Sequence, residues 1–294
     1  MGAPPAEPEF ERLLAPDAKV EKVAEGFEFV EGPVWHPGGY LLFTDVAQWR
    51  LMKWHPQEGA SVYREPSTAL GLAVDREGRL VACEIGSYRE RPRISLTGAD
   101  GKRITLVEKY EGRRLNSPND LTIAADGTIY FTDPPYGELE FKRRQIFFNG
   151  VYRLSPQGEL TLIIRDFTRP NGVELSPDGK TLYVNDSIKM QVWAFDVLPN
   201  RWVTNGRLFA ELRPWAANLR GVPDGMKADA EGNLYVTGPG GVWVFNPQGK
   251  RLGIINTPEQ AYNCAFGDAD LKTLYITAGT GLYRIRLNVS GADP

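Results

Sequence analysis

The sequence predicts an all-β protein, a six-bladed β-propeller with four-stranded blades. Three observations support this fold class: a hairpin pattern that occurs six times, a spacing of about 40 to 53 residues between its copies, and few stretches of helical periodicity. Each copy has two extended runs joined by a turn that contains Gly or Asp, which is typical of a β-hairpin. The spacing matches the length of a propeller blade with four strands.

The repeats can be aligned on the turn residue that precedes the second extended run. One position lies seven residues before that turn residue, and Asn119 holds it in the third repeat. The six aligned positions are Glu31, Leu70, Asn119, Asn171, Asp224 and Asn263. Because five of the six carry a side-chain oxygen, this set is the candidate functional site.

The two ends of the chain complete the fold prediction. Residues 1–18 are rich in proline and acidic residues, which predicts an irregular lead-in, and residues 19–294 predict a single propeller domain. The last repeat ends after Leu287, one strand short of a full blade. The alternating residues 19–24 predict a strand that fills this place. Such a closure removes an exposed sheet edge that would otherwise pair with other chains.

Composition argues against several classes of protein. The formal net charge is −3 over 294 residues, without the basic excess typical of nucleic-acid binding. No run approaches the roughly 18 apolar residues that a membrane span needs. The first residues lack the basic and apolar regions of a signal peptide. We therefore expect a soluble protein of the cytoplasm or periplasm, with no nucleic-acid or membrane partner.

The cysteines and histidines favour structural roles. Cys83 and Cys264 lie far apart within apolar runs, which predicts buried free thiols rather than a disulfide. His36 and His55 follow strands and are expected away from the candidate site. A Ser-His-Asp triad would need a histidine there, so serine-type hydrolysis is not predicted.

The six aligned positions predict a ring around the mouth of the central channel, because the first strand of each propeller blade lines that channel. Any one of these residues alone would also fit a turn, where Asn and Asp bond their own backbone. Agreement between distant repeats favours a shared ligand instead. Glu31 and Asp224 facing each other would repel unless a cation lay between them.

The type of ligand indicates the type of cation. Oxygen ligands predict one divalent metal ion, with calcium first and magnesium, manganese or zinc as alternatives. Glu31 and Asp224 would balance its charge, and Asn119 and Asn171 would be neutral ligands. Asn263 remains open as a further ligand.

A second acidic set follows the ring positions. Fourteen or fifteen residues after the ring position, each of the first four repeats has an acidic residue: Asp45, Glu84, Asp133 and Asp186. Because the second strand returns to the mouth, these residues predict an outer acidic rim.

Several segments of the chain resemble a known family of six-bladed propellers, which includes senescence marker protein, gluconolactonase and luciferin-regenerating enzyme. The matching segments are residues 31–35, 116–121, 131–137, 170–173, 176–179 and 223–226. They span nearly the whole chain from about residue 20 and occur in the family's order. Residues 116–120 and 132–137 look closer to bacterial gluconolactonases than to the animal branch of the family. Ile85 departs from the pattern, since bacterial relatives often have histidine after Cys-Glu.

The resemblance implies a divalent metal held by Glu31, Asn119, Asn171 and Asp224, and hydrolysis of sugar lactones. We expect the metal to polarise the lactone carbonyl and Asp224 to act as general base toward water. The expected contacts to substrate hydroxyls are Asp133, Glu84, Tyr136 and Asn263. Two alternatives keep the same site: hydrolysis of phosphotriesters or organofluorophosphates, and a calcium-stabilised propeller that binds a partner without catalysis.

Overall fold

Six antiparallel sheets of four strands follow one another along the chain and form the blades of a β-propeller, which confirms the predicted fold class. The computed structural model describes residues 7–87, 89–136, 144–213 and 219–292. The first strands of the six blades contact one another in chain order, and the sixth packs on the first, so that the blades close into a ring.

The elements of the first half run from the lead-in to blade three. The lead-in holds helix α1 (Pro8–Leu13), and strand β1 (Glu21–Glu25) follows it. Blade one consists of β2 (Val30–His36), β3 (Tyr40–Asp45), β4 (Arg50–His55) and β5 (Gly59–Arg64). Blade two consists of β6 (Ala69–Val74), β7 (Leu80–Glu84), β8 (Arg93–Thr97) and β9 (Arg103–Val107). A small hairpin of β10 (Lys109–Tyr110) and β11 (Arg113–Arg114) precedes blade three. Blade three consists of β12 (Leu121–Ile123), β13 (Ile129–Asp133), β14 (Gly150–Leu154) and β15 (Leu160–Ile164).

The second half contains blades four to six. Blade four consists of β16 (Pro170–Leu175), β17 (Thr181–Asp186), β18 (Gln191–Val197) and β19 (Val203–Glu211). Blade five consists of β20 (Met226–Ala228), β21 (Leu234–Gly238), β22 (Gly241–Phe245) and β23 (Arg251–Asn256). Blade six has three strands from the C-terminal part of the chain: β24 (Ala261–Gly267), β25 (Thr273–Ala278) and β26 (Gly281–Arg286).

Strand β1 supplies the outer strand of blade six, as predicted. It pairs antiparallel with β26, with Glu21 opposite Arg284 and Glu25 opposite Gly281. The lead-in differs from the prediction, because residues 8–13 form α1 rather than irregular structure. Phe10 and Leu13 are buried in the apolar cluster of blades five and six, so this packing stabilises the short helix.

The core lies in the layers between blades. Between blades six and one, for example, Phe43 and Trp54 pack with Tyr275 and Leu282. The ring of Trp35 stacks on that of Tyr275 with centroids 5.8 Å apart. Because each blade buries both faces against its neighbours, the closed ring is needed to cover the apolar residues of the first and last blades.

Cysteine and histidine positions agree with the predictions. Cys83 and Cys264 are free and buried. His36 stacks on Tyr40 at the end of β2 that lies away from the mouth, and His55 ends β4 on that same side. Among the described residues, no helix has the length and apolar character needed to span a bilayer.

Candidate functional site

The six aligned residues lie where the first strands begin, at one end of the channel. Glu31, Leu70 and Asn171 are the second residues of their strands and Asn263 is the third. Asn119 precedes β12 by two residues. Asp224 stands in the same relation to β20. Five of the six are buried and Asp224 is half-buried. Of the ring carboxylates, Asp224 is therefore the more accessible one.

Close contacts between blades fix the order of residues around the ring. A side chain at Gly172 would overlap the carbonyl oxygen of Asp224, and one at Gly225 would overlap the side chain of Asn263. Only glycine permits this approach. The residues that follow Asn171 and Asp224 therefore bring each ring position against the next one.

Polar side chains of the second strands hold the backbone of the ring. The hydroxyl of Thr132 donates to the carbonyl oxygen of Asn171 at 2.7 Å, and the amide of Asn185 donates to that of Asp224. In blade five, the hydroxyl of Thr237 donates to the carbonyl oxygen of Tyr262 at 2.8 Å. Tyr262 precedes Asn263 in the chain. These bonds run from one blade to the next, so they position the ring residues relative to one another.

Both ring carboxylates, Glu31 and Asp224, have raised pKa values. Burial raises the pKa of Glu31 to about 7, and the nearby charge of Asp120 acts in the same direction, whereas the N–H of Gly32 opposes the shift. Burial also raises the pKa of Asp224 well above its usual range, and the charges of Glu31 and Asp120 add to this effect. A site that destabilises two neighbouring negative charges in this way is suited to a cation.

The orientation of Asn171 fits a metal ligand. Its Nδ2 donates to the hydroxyl of Tyr136 at 2.9 Å and to Oγ of Ser187 at 3.1 Å. Its Oδ1 is buried and has no hydrogen-bond partner. A buried carbonyl oxygen without a donor is costly, and a hard cation would satisfy it. Glu31, Asn119, Asn171 and Asp224 therefore fit a divalent ion that prefers oxygen.

The chemistry of this donor set narrows the kind of metal. Over the described residues, no group of three or more His, Cys, Asp or Glu side chains is placed to hold an ion. The ring instead combines two carboxylates with two amides. Such a set lacks the thiolate and imidazole ligands that are common in zinc sites.

Two of the four predicted substrate contacts lie at the ring, Asn263 as one of its members and Tyr136 beside it. Tyr136 contacts Asn171 through its hydroxyl, and the guanidinium of Arg169 lies 5.4 Å from the centroid of the Tyr136 ring. Asn263 bonds Glu31 through its side chain and accepts the N–H of Cys264 at 2.8 Å. Gly137, the last residue of its matching segment, lies outside the described residues.

The other two do not fit the prediction. Glu84 and Asp133 are both 0% exposed. Glu84 pairs with Arg93 at 2.6 Å and with Arg103 at 3.1 Å. Asp133 accepts the backbone N–H groups of Asn116 and Ser117. Because a substrate in solution has no access to these carboxylates, their contacts support structural roles.

The same correction applies to the whole outer acidic rim. Asp45 and Asp186 are also 0% exposed. Asp45 accepts the N–H groups of residues 28 and 29, and Asp186 accepts that of Thr168. In blades one, three and four the acidic residue therefore fastens the loop that leads into the first strand of its own blade, and it does not face the mouth.

Sequence reasoning missed residues that surround the ring. Oγ of Ser187 accepts from Asn171 and donates to the carbonyl oxygen of Pro223, so it connects Asn171 to the residue before Asp224. Tyr262 packs edge-on against Phe29, with centroids 4.7 Å apart, and the charges of Asp224 and Glu31 add to the rise that burial causes in its pKa. The sequence contained a signal for both residues, because each is adjacent to a residue of the aligned sets: Ser187 follows Asp186, and Tyr262 precedes Asn263.

Comparisons with known proteins agree with this fold. A family model described as "SMP-30/Gluconolactonase/LRE-like region" matches residues 29–280. The gluconolactonase of Zymomonas mobilis is 34% identical and covers 97% of this chain and 85% of its own length. The structure of a gluconolactonase from Xanthomonas campestris has a TM-score of 0.85 at 32% identity and covers 98% of both chains. A calcium-binding regucalcin from Agrobacterium tumefaciens has a TM-score of 0.75 at 18% identity over 93% of this chain and 94% of its own, a likeness in fold alone.

Proposed function

The chain belongs to the SMP-30/gluconolactonase/LRE-like family, and from that premise we propose that it is a metal-dependent lactonase that opens sugar lactones. The homologues support a lactone-hydrolysing enzyme. The observation that carries the metal dependence is the orphaned Oδ1 of Asn171, which lies in a ring with two carboxylates that repel each other. Calcium is the first candidate for the ion because all the candidate ligands are oxygen atoms.

Glu31, Asn119, Asn171 and Asp224 would hold the ion. A bound divalent ion supplies Lewis-acid stabilisation of the negative charge that develops on the lactone carbonyl oxygen. Glu31 serves as a ligand and is fixed by the N–H of Gly32 at 2.8 Å. Asn171 is held with its oxygen toward the ring by Tyr136 and Ser187.

Asp224 is the general base in this proposal. It is the more exposed of the two ring carboxylates, so a water molecule can reach it together with the substrate. Its carboxylate would remove a proton from that water as the oxygen attacks the carbonyl carbon, and the proton would then pass to the ring oxygen that leaves. Tyr136 and Asn263 lie beside Asn171 and Glu31 and are the side chains proposed to orient the substrate hydroxyls.

The test is a pH-stat assay of aldonolactones with metal-stripped protein and added calcium, magnesium, manganese or zinc. We expect hydrolysis that depends on the added ion and a loss of about 100-fold or more in Asp224→Ala. Asp178→Asn is the control, because it removes a carboxylate from an exposed turn at the far end of the strands. Full activity in Asp224→Ala or after exhaustive chelation would refute the mechanism. Faster turnover of a phosphotriester than of every lactone would refute the substrate class.

A further inference from the structure

A pair of opposite charges lies in the channel, three residues beyond the ring along the first strands. Nζ of Lys227 is 2.9 Å from Oε2 of Glu174. The other oxygen of Glu174 accepts the hydroxyl of Thr122 at 3.0 Å and the N–H of Leu175 at 2.9 Å. Blades three, four and five each contribute a residue to this cluster. The pair is therefore held in place from several sides and differs from a mobile surface ion pair.

The position of Lys227 is also fixed. Its ammonium donates to the carbonyl oxygen of Met226 at 2.8 Å, and its side chain is 22% exposed. Burial lowers the pKa of this ammonium, but the negative charges of Glu174 and Asp120 more than offset that effect and hold the pKa above its usual range. Lys227 therefore carries a permanent positive charge into the channel.

Asp120 connects this cluster to the ring. It follows Asn119 in the chain and is 3% exposed. Its Oδ1 accepts the N–H of Leu121 at 2.9 Å, and its Oδ2 is buried without a hydrogen-bond partner. Lys227 attracts the charge of Asp120, and that charge in turn acts on both Glu31 and Asp224. A change of charge at Lys227 therefore changes the electrostatic environment of the ring carboxylates.

The ammonium of Lys227 changes the balance between negative and positive charge around the ring. The ring and the cluster together hold four carboxylates, namely Glu31, Asp120, Glu174 and Asp224. A divalent ion at the ring would balance two of these charges. The ammonium of Lys227 balances a third and remains in place when the ion leaves.

We propose that Lys227 is a positioning residue whose ammonium is a fixed cation in the channel and limits how tightly the ring binds its divalent ion. The inference rests on the proposed function, because it assumes that the ring binds such an ion. Glu174 holds the ammonium 2.9 Å from its own carboxylate. The negative charge of Glu174 partly neutralises the ammonium and so lowers its effect on the ring.

The sign of the change in affinity separates this role from a purely structural one. Lys227→Met removes the positive charge and keeps most of the side-chain length, so the dissociation constant for calcium should fall by about tenfold. Glu174→Gln retains an oxygen for Thr122 and Leu175 but leaves the ammonium unbalanced, so the same constant should rise by about tenfold. A structural cross-link predicts weaker binding in both variants, since both break the same ion pair.

The experiment is calorimetric titration of calcium chloride into metal-stripped protein, with thermal melting of each variant as a check on folding. Lys180→Met is the matched control, because Lys180 lies in a turn at the far end of the strands with its side chain 80% exposed. Shifts of opposite sign in Lys227→Met and Glu174→Gln support the proposal. Shifts of the same sign, or none beyond the control, overturn it.

Two outcomes need separate interpretation. If the unmodified protein binds no calcium in this titration, the calcium site of the proposed function fails together with this inference. If it binds calcium but the two variants shift in the same direction, only this inference fails. If Lys227→Met does not fold, Glu174→Gln still decides the question together with Lys227→Arg. The arginine keeps the charge and should bind calcium within about threefold of the unmodified protein. Weak binding in both of these variants overturns the proposal.

Discussion

Replacing Glu31 with glutamine in the metal-free protein tests whether burial at the ring disfavours the charged form of this carboxylate. Burial raises the pKa of Glu31 from 4.5 to about 7 in the folded protein. Below pH 4.5 the group is protonated whether the chain is folded or unfolded, so it costs nothing. Between pH 4.5 and 7 the unfolded chain loses this proton while the folded chain keeps it. The free energy of unfolding therefore falls as the pH rises through this range.

The size of the effect follows from the same shift. A difference of one in pKa corresponds to about 1.4 kcal/mol, so the full penalty above pH 7 is about 3 kcal/mol. Glu31→Gln has no proton to lose and also removes one of the charges that raise the pKa of Asp224. We expect the variant to match the unmodified protein at pH 4.5 and to exceed its stability by about 3 kcal/mol at pH 8.

Urea unfolding of chelator-treated protein, followed by tryptophan fluorescence at pH 4.5, 6 and 8, measures this difference. Glu58→Gln is the control, because the side chain of Glu58 is 72% exposed. Addition of calcium at pH 8 should reverse the order, since the unmodified protein then has one more carboxylate ligand. A stability difference that does not change with pH would refute the reasoning.

Two further outcomes follow from single hydrogen-bond networks. Ser187→Ala removes an acceptor that orients Asn171, so we expect calorimetric titration to show calcium binding about tenfold weaker. Ser176→Ala, at the far end of the strands, is the control. An unchanged dissociation constant in Ser187→Ala would contradict this role. Glu259 accepts hydrogen bonds from Tyr283 and Thr280 and pairs with Lys22. Burial raises the pKa of Glu259, but these contacts more than offset that effect and lower the pKa to about 2. Its stabilisation is present above pH 4.5 and is lost as the pH falls toward 2. Glu259→Gln should therefore lower the free energy of unfolding by about 2 kcal/mol at pH 7 and by less at pH 3; an equal loss at both would contradict the assignment.

The repeat pattern predicted the architecture because a propeller repeats the same structural unit in the same phase. Aligning Asn119 with its counterparts was enough to predict the ring, since each first strand begins at the same end of the channel. The closure by β1 was predictable from a missing strand. Helix α1 was missed, although Pro8 in its first turn and the spacing of Phe10 and Leu13 are helical signals.

Side-chain direction was harder to predict than strand position. Asp45 and Asp186 end second strands at the mouth, as expected, but loop backbone that lies next to them in space takes up their carboxylates. Likewise, the amide orientation of Asn171 depends on Tyr136 from blade three. Such partners come from distant parts of the chain, and the local pattern contains no information about which of them will meet.

Closure by β1 has a consequence for the order of events during synthesis. Strand β1 leaves the ribosome before all six blades, yet its partner β26 is made only after blades one to five. Until then, Glu31 in blade one has no sixth blade beside it, and the apolar residues of blade one that pack on blade six are uncovered. The ion site is therefore completed only when the two ends of the chain meet, a contact of large sequence separation that forms slowly. An early metal ion would find isolated oxygen ligands, whereas the finished ring offers all of them together.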